Sequence, residues 1–145
     1  AADMADVVKS KAAEQDIIIM TAAVADFCPS HPADEKIKKN DSSYESVIEL
    51  ERTEDILSYL GAHKAKGQLI CGFSMETQNM LENSKAKLAK KNADMIVANN
   101  LKVAGAGFGT DTNVVTLITA DDCTELEIMD KSCVAARIMD RLLQM

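Results

Sequence analysis

The chain has 145 residues, with 16 basic and 23 acidic side chains and a formal net charge of −7 at pH 7. Its length predicts one domain, and its acidity argues against a nucleic-acid partner, which usually requires a broadly basic surface. No apolar run approaches the roughly 20 residues of a membrane span, and no signal-peptide pattern is visible. We therefore expect a cytoplasmic protein with neither a nucleic-acid nor a membrane partner.

The cysteines are Cys28, Cys71, Cys123 and Cys133. None of them belongs to a CxxC pair, and the two histidines lie far from any pair of cysteines, which argues against a zinc site. The composition is typical of an intracellular protein, so the sequence predicts free thiols rather than disulfides.

Patterns of apolar residues predict alternating helices and strands in the first half of the chain. In chain order they indicate a helix over 1–15, a strand from Ile17 to Met20, a long loop over 27–44, a short strand over 46–52 and a helix over 53–67. The run of β-branched residues in the first strand is typical of a parallel strand buried on both faces. Thr53 is the predicted N-cap of the second helix.

The second half continues the alternation. It predicts a strand over 68–74, a helix over 77–93, a strand over 94–100, a Gly-rich loop over 101–113, a hairpin over 114–129 and a closing helix over 132–145. Ser132 is the predicted N-cap of the last helix. The order predicts an α/β fold: a mostly parallel sheet flanked by helices, with an antiparallel hairpin at one edge.

A cluster of lysines in the segment DEKIKKN, residues 34–40, stands out in this acidic chain. The spacing of two puts Lys36 and Lys38 on one side of an extended segment, with Lys39 beside them. Several cations close together suit a triphosphate, over which such a loop could close. A solvated charge run is the alternative that spacing alone leaves open.

Lys87 and Lys91 form a second basic feature, because a spacing of four places both on one helix face. Their mutual repulsion is relieved most easily if a polyanion lies opposite. The alternative is an exposed helix on which Glu82 and Asp94 partly compensate the charge.

Two further residues lie near the carboxyl ends of predicted strands, where open α/β sheets bind their ligands. Asp26, in AAVADF, could accept hydrogen bonds from a sugar or base, help to hold a metal, or cap a turn. Phe73, in CGFSMET, could stack on a base or pack in the core.

Five segments of the chain keep the order and spacing of one known family: AAVADF, EKIKKN, CGFSMET, KAKLAKKNADMIVANN and GFGTDTNVVTLI. In these segments the chain resembles phosphopantothenate–cysteine ligase, which in many bacteria forms the C-terminal half of a bifunctional coenzyme A biosynthesis protein. The resemblance extends from about Asp3 to Leu143. It implies one Rossmann-like, nucleotide-binding ligase domain over 1–145 that lacks the family's N-terminal part.

The resemblance also implies a reaction. Family members join 4′-phosphopantothenate to cysteine through an acyl-cytidylate, and bacterial members typically use CTP and Mg²⁺. The sequence itself leaves CTP against ATP open. The family is dimeric, so a homodimer is expected, and FMN is expected only if a decarboxylase domain precedes this one.

Site residues follow from the same resemblance. Lys36 resembles the lysine at the reacting phosphate and is the predicted catalytic residue, with Lys38 and Lys39 as secondary candidates. No metal ligand is assigned. The predicted nucleotide-binding residues are Met20, Thr21, Ala22, Asp26, Lys36, Glu54, Asp55, Ile56, Leu57, Phe73, Lys87 and Lys91.

Two departures from the family pattern matter. Thr53 and Glu54 stand where many relatives have Asn-Pro, so only a backbone contact would survive there. The family's N-terminal segment, which holds phosphopantothenate, has no counterpart, so we expect the chain alone to bind nucleotide without turnover. The alternatives are a non-catalytic nucleotide-binding fragment and an NAD(P)-dependent oxidoreductase, although the latter predicts a GxGxxG turn that the sequence lacks.

Overall fold

The computed structural model describes residues 1–36, 47–75, 79–100, 107 and 109–145. Its helices are α1 (Ala2–Ala12), α2 (Ile56–Ala62), α3 (Met80–Lys91) and α4 (Lys131–Leu142). Its strands are β1 (Ile17–Met20), β2 (Phe27–Pro29), β3 (Leu50–Arg52), β4 (Leu69–Met75), β5 (Met95–Asn99), β6 (Thr112–Asn113), β7 (Val115–Ile118), β8 (Cys123–Glu125) and β9 (Met129–Asp130).

Five strands form the central sheet, in the order β1-β4-β5-β7-β8. The first three run parallel, with Ile17 opposite Leu69 and Cys71 opposite Met95. Strand β7 runs antiparallel to β5, and β8 antiparallel to β7. This sheet confirms the predicted α/β fold with an antiparallel hairpin at one edge. Two small sheets, β2–β3 and β6–β9, accompany it.

The core lies on both faces of this sheet. Ile70 and Cys71 are neighbours in β4 and are both fully buried, because successive side chains of a strand point to opposite faces. Ile70 packs in a cluster with Leu60 of α2, whereas Cys71 packs in another with Ile138 of α4. Helices therefore cover both faces of the sheet.

Helices α2 and α3 are joined by a close backbone approach at Gly61. A side chain at this buried glycine would meet the carbonyl oxygen of Lys91. Asn92 ends α3 in the left-handed conformation, with φ of 48°, and its side-chain nitrogen donates to the Gly61 carbonyl at 2.7 Å. The contact fixes the end of α2 relative to the end of α3.

The predicted loop over 27–44 was wrong in its first residues, because Phe27–Pro29 form β2 and pair antiparallel with β3. Proline normally argues against a strand, but Pro29 lies in a two-stranded sheet with a free edge, where its missing N–H is tolerated. Strands β6 and β9 were also not predicted. The secondary candidates Lys38 and Lys39 lie outside the described residues.

Both predicted helix caps were wrong. Asp55 is the N-cap of α2, and its side chain accepts a hydrogen bond of 2.9 Å from the Ser58 N–H. Helix α4 begins one residue earlier than predicted, with Asp130 in the N-cap position before Ser132. In both places the alternative cap is also a good N-cap type, so residue preference alone could not select it.

All four cysteines are free, as predicted. In the described part of the chain, no helix combines the length and the apolar character that crossing a bilayer requires.

Candidate functional site

A cleft of about 260 Å³ lies where β1 and β4 approach their carboxyl ends. Residues after β1, the segment between β3 and α2, and one face of α3 surround it. Its lining consists of Met20, Ala22, Val24, Ala25, Asp26, Arg52, Thr53, Glu54, Asp55, Ile56, Leu57, Phe73, Lys87 and Lys91. Open α/β sheets bind ligands in this position.

Ten of the twelve predicted nucleotide-binding residues line this cleft. They are Met20, Ala22, Asp26, Glu54, Asp55, Ile56, Leu57, Phe73, Lys87 and Lys91. The remaining two do not line it: Thr21 is exposed between two lining residues, and Lys36 is exposed beside the undescribed residues 37–46. The structure thus brings together residues that lie up to 71 positions apart in the sequence.

The two lysines of α3 lie on the same face, as their spacing predicted. Lys87 donates a hydrogen bond of 2.9 Å from Nζ to the Phe73 carbonyl oxygen. Lys91 forms an ion pair with Asp55 and donates to Ser58 Oγ at 3.0 Å. A lysine has three donors, and Lys87 uses one of them in a bond to the described residues, which leaves donors for an anion.

The alternative, in which Asp94 partly compensates the charge of these lysines, was wrong for Asp94. Asp94 instead binds Lys64 at 2.8 Å and accepts the Ile70 N–H at 2.7 Å, which ties it to the start of β4. The carboxylate that neutralises Lys91 comes from α2, and sequence spacing gave no signal of that contact.

Two of the three carboxylates in the cleft are occupied by protein partners. Burial raises the pKa of Asp55, but hydrogen bonds from Lys91 and Ser58 outweigh it, and the net pKa lies below its usual value. Glu54 pairs with Lys9 of α1, and this hydrogen bond raises the pKa of Lys9. Among the described residues, Asp26 has no such side-chain partner, so its carboxylate is free for a ligand.

Thr53 fixes the backbone that carries Asp26. Its N–H donates to the Asp26 carbonyl at 3.0 Å, and its hydroxyl donates to the carbonyl of Ala25. These bonds tie the end of β3 to the turn after β1. This function of Thr53 was not predicted, because a threonine before an apolar helical pattern resembles a helix cap.

Arg52 also lines the cleft and was not predicted. It lies opposite Phe27 in the β2–β3 pair, with Cζ 5.2 Å from the centre of the phenyl ring. A prediction of Phe27–Pro29 as a strand paired with β3 would have indicated that Arg52 lies beside the cleft.

Asp26 is the residue of the cleft whose carboxylate could contribute to a magnesium site. No group of three or more metal-binding side chains occurs within the described ranges. Mg²⁺ needs only one or two protein carboxylates when substrate phosphates supply the other ligands. The free carboxylate of Asp26 fits that arrangement.

A larger groove of about 480 Å³ lies between β8 and α4. None of the twelve predicted residues lines it. Its two arginines, Arg137 and Arg141, face four acidic residues, and Arg141 pairs with Asp122 at 3.4 Å. This balance of charge makes the groove a poorer site for an anion than the smaller cleft.

The fold and the cleft define an α/β domain with a ligand site at the carboxyl ends of its parallel strands. The chain belongs to the family described as the DNA/pantothenate metabolism flavoprotein C-terminal domain, whose model matches residues 1–145. The family resemblance inferred from the sequence is thereby confirmed.

Individual relatives agree with this assignment. The chain is 48% identical over 143 residues to the coenzyme A biosynthesis bifunctional protein CoaBC of Bacillus subtilis (strain 168), covering 98% of this chain and 34% of that protein. It is 45% identical over 144 residues to a cysteine/cysteine sulfinic acid decarboxylase of an unknown prokaryotic organism, covering 99% of this chain and 40% of that protein. The chain thus spans less than half the length of these relatives.

A solved structure gives the same result for the fold. The crystal structure of the C-terminal domain of CoaBC matches with a TM-score of 0.76 and 41% identity. The match covers 99% of this chain and 63% of that one.

Proposed function

We propose that this chain carries the nucleotide site of a phosphopantothenate–cysteine ligase, which uses CTP in coenzyme A biosynthesis. The supporting observation is that ten predicted nucleotide-binding residues from four separate segments line one cleft. A cleft at the carboxyl ends of parallel strands, with cationic side chains on one wall, suits a nucleoside triphosphate.

The two relatives do not agree on a reaction, since one is a coenzyme A biosynthesis protein and the other a decarboxylase. The chain covers less than half of either protein, so its own residues must decide. The lysine pair on α3, with Lys87 available for an anion, favours a phosphate-bearing ligand. A ligase that consumes a triphosphate needs such a site for its nucleotide.

The proposed reaction has two steps. In the first, the carboxylate of 4′-phosphopantothenate attacks the α-phosphorus of CTP; the new acyl–phosphate bond forms as the bond to pyrophosphate breaks. In the second, the amine of cysteine attacks the acyl carbon and loses a proton, and CMP leaves as the amide forms. Negative charge accumulates on the reacting phosphate in the first step, so cations there lower the barrier.

The residues divide these tasks by position. Lys36 is proposed as the catalytic cation at the α-phosphate, while Lys87 binds and orients the polyphosphate. Phe73 lines the cleft and is proposed to offer the base a stacking surface. Mg²⁺, when bound, would neutralise phosphate charge, and Asp26 would hold it.

Exposed apolar residues support the proposal that the protein acts as a homodimer. Val47 and Ile48 lie just before β3 and Leu50 is its first residue; they are 81%, 71% and 59% exposed. Phe27 of the paired strand is 48% exposed. A second copy of the chain would bury this apolar surface.

Calorimetric titration of the full-length protein with CTP in the presence of Mg²⁺ tests the nucleotide site, with ATP as comparator. We expect micromolar binding of CTP and weaker binding of ATP. In a ligation assay that detects phosphopantothenoylcysteine, Lys36→Ala should reduce kcat by about 100-fold or more, as loss of a transition-state charge partner does.

Lys66→Ala is the matched control, because Lys66 is an exposed lysine that does not line the cleft. It should retain CTP binding and kcat. Absence of CTP binding by the unmodified protein would refute the nucleotide proposal, and an unchanged kcat in Lys36→Ala would refute the role of Lys36.

A further inference from the structure

Arg52 is held at the edge of the cleft by an aromatic ring. Its guanidinium lies over Phe27, with Cζ 5.2 Å from the ring centre, and the two residues are register partners in the β2–β3 pair. Antiparallel pairing fixes both backbones, so the stacked arrangement exists before any ligand binds.

Arg52, unlike Lys91 and Glu54, has no oppositely charged partner among the described residues. Lys91 is paired with Asp55, and Glu54 is paired with Lys9. Within the described ranges, the Arg52 side chain forms neither an ion pair nor a hydrogen bond, and its guanidinium lies over the Phe27 ring. Its charge is therefore not neutralised by those residues.

Stacking occupies the face of the guanidinium group but not its edges. The five N–H donors of arginine lie in the plane of the group, so contact with a ring leaves them free. Two parallel N–H donors match two oxygens of one phosphate group, which gives a bidentate contact. The ring also reduces the loss of side-chain entropy on binding, since the guanidinium is already placed.

Arg52 enters the cleft from the β2–β3 sheet, whereas Lys87 and Lys91 enter from α3. A phosphate-bearing ligand in this space would meet cationic groups from two separate elements. Such an arrangement selects for a ligand with more than one anionic group, because a single phosphate cannot satisfy both sides fully.

We propose that Arg52 binds a terminal phosphate group of the ligand in this cleft and that Phe27 is its positioning residue. The proposal rests on the proposed function as a nucleotide-dependent ligase. The phosphate can come from the triphosphate of CTP or from 4′-phosphopantothenate, and the two sources are distinguished by the experiment.

The experiment compares Arg52→Gln, Arg52→Lys and Phe27→Leu in the full-length protein. Arg137→Gln is the matched control, because it makes the same change at an exposed arginine outside the cleft. Calorimetry gives the affinities for CTP and CMP, ligation kinetics give the KM for 4′-phosphopantothenate, and thermal unfolding reports the integrity of each variant.

We expect Arg52→Gln to weaken CTP binding roughly tenfold, the usual effect of losing one charged hydrogen-bonding contact. CMP binding should be unchanged, because CMP lacks the terminal phosphates. Arg52→Lys should lose less CTP affinity than Arg52→Gln, since lysine keeps the charge but lacks the two parallel N–H donors of the guanidinium group. Phe27→Leu should give an intermediate loss with Arg52 intact.

A rise confined to the KM for 4′-phosphopantothenate would also support phosphate binding and would assign the group to that substrate. The proposal would be overturned if Arg52→Gln left both the CTP affinity and the KM unchanged. It would also be overturned if the variant lost equal affinity for CTP and CMP. In either case, binding of CTP by the unmodified protein would still uphold the nucleotide site. Failure of the unmodified protein to bind CTP would overturn both.

Discussion

The ammonium group of Lys87 lies 2.9 Å from the carbonyl oxygen of Phe73, at the carboxyl end of β4. One helical turn further along, Lys91 is engaged by Asp55 and Ser58. Two lysines on one helix face thus have different surroundings: one is nearly free to bind a ligand, and the other joins α3 to the start of α2.

This difference predicts different consequences when each lysine loses its charge. Lys87→Met should weaken CTP binding roughly tenfold and change the free energy of unfolding by less than about 0.5 kcal/mol. Lys91→Met should also lower the free energy of unfolding by about 1 kcal/mol, because Asp55 loses its partner. Calorimetry and urea unfolding measure the two effects, and equal losses of stability in both variants would contradict this assignment.

The capping carboxylate of Asp55 predicts a pH-dependent stability. Its pKa is lowered in the folded protein from a usual value of 3.8, so the unfolded chain binds the proton more readily. The stabilisation it provides is present above about pH 3.8 and is lost as the pH falls through the lowered folded pKa. The side chain is 49% exposed, so solvent screening keeps the contribution modest.

Asp55→Asn retains an oxygen that can cap α2 but removes the charge. We expect it to be less stable than the unmodified protein by about 1 kcal/mol near neutral pH, with the difference shrinking as the pH falls below 3.8. Urea unfolding at several pH values measures this. A difference that persists at acidic pH would show that the side chain acts through packing rather than ionisation.

Local rules of sequence account for part of the site. The spacing of Lys87 and Lys91 was sufficient to place them on one helix face, because four residues make about one turn. The strand before Asp26 was predicted from its run of β-branched residues. Asp26 was then predicted as a site residue because it follows that strand. These predictions needed no knowledge of which other segment would lie nearby.

Contacts between distant segments could not be predicted in this way. Asp55 meets Lys91 across 36 residues, and a pairing at that distance depends on how α2 packs against α3. Arg52 lies at the cleft because its strand pairs with that of Phe27. That second strand was not predicted, because Pro29 argues against a strand. The missed residues are therefore those whose positions depend on tertiary pairing.

The cysteines should differ sharply in reactivity. Burial, together with the charge of Asp94, raises the pKa of Cys71 to about 12. Cys133, on α4, is exposed. Near pH 8, iodoacetamide should modify Cys133 in the folded protein and leave Cys71 unmodified, because the thiolate is the reactive form.

Mass spectrometry of peptides after limited alkylation measures the two rates. Denaturation with urea should make Cys71 react at a rate similar to that of Cys133, which controls for differences between the peptides. Rapid modification of Cys71 without unfolding would mean that β4 opens far more readily than its burial indicates.

A substitution at Gly61 tests how strongly CTP binding in the cleft depends on the close approach of α2 to α3. Gly61→Ala places a methyl group against the backbone carbonyl of Lys91, and backbone cannot yield as a side-chain end can. We expect a loss of about 1–3 kcal/mol in the free energy of unfolding, in the range of overpacked cores. CTP affinity should fall as well, because separation of the helices breaks the contact of Lys91 with Asp55.

Ala62→Ser serves as the control, since it adds one heavy atom at the neighbouring exposed position of the same helix. It should change stability by less than about 0.5 kcal/mol. Urea unfolding and CTP titration of both variants separate the two cases. A stable Gly61→Ala protein with unchanged CTP affinity would show that α2 and α3 can move apart without disturbing the cleft, contrary to the coupling inferred from the Gly61 contact.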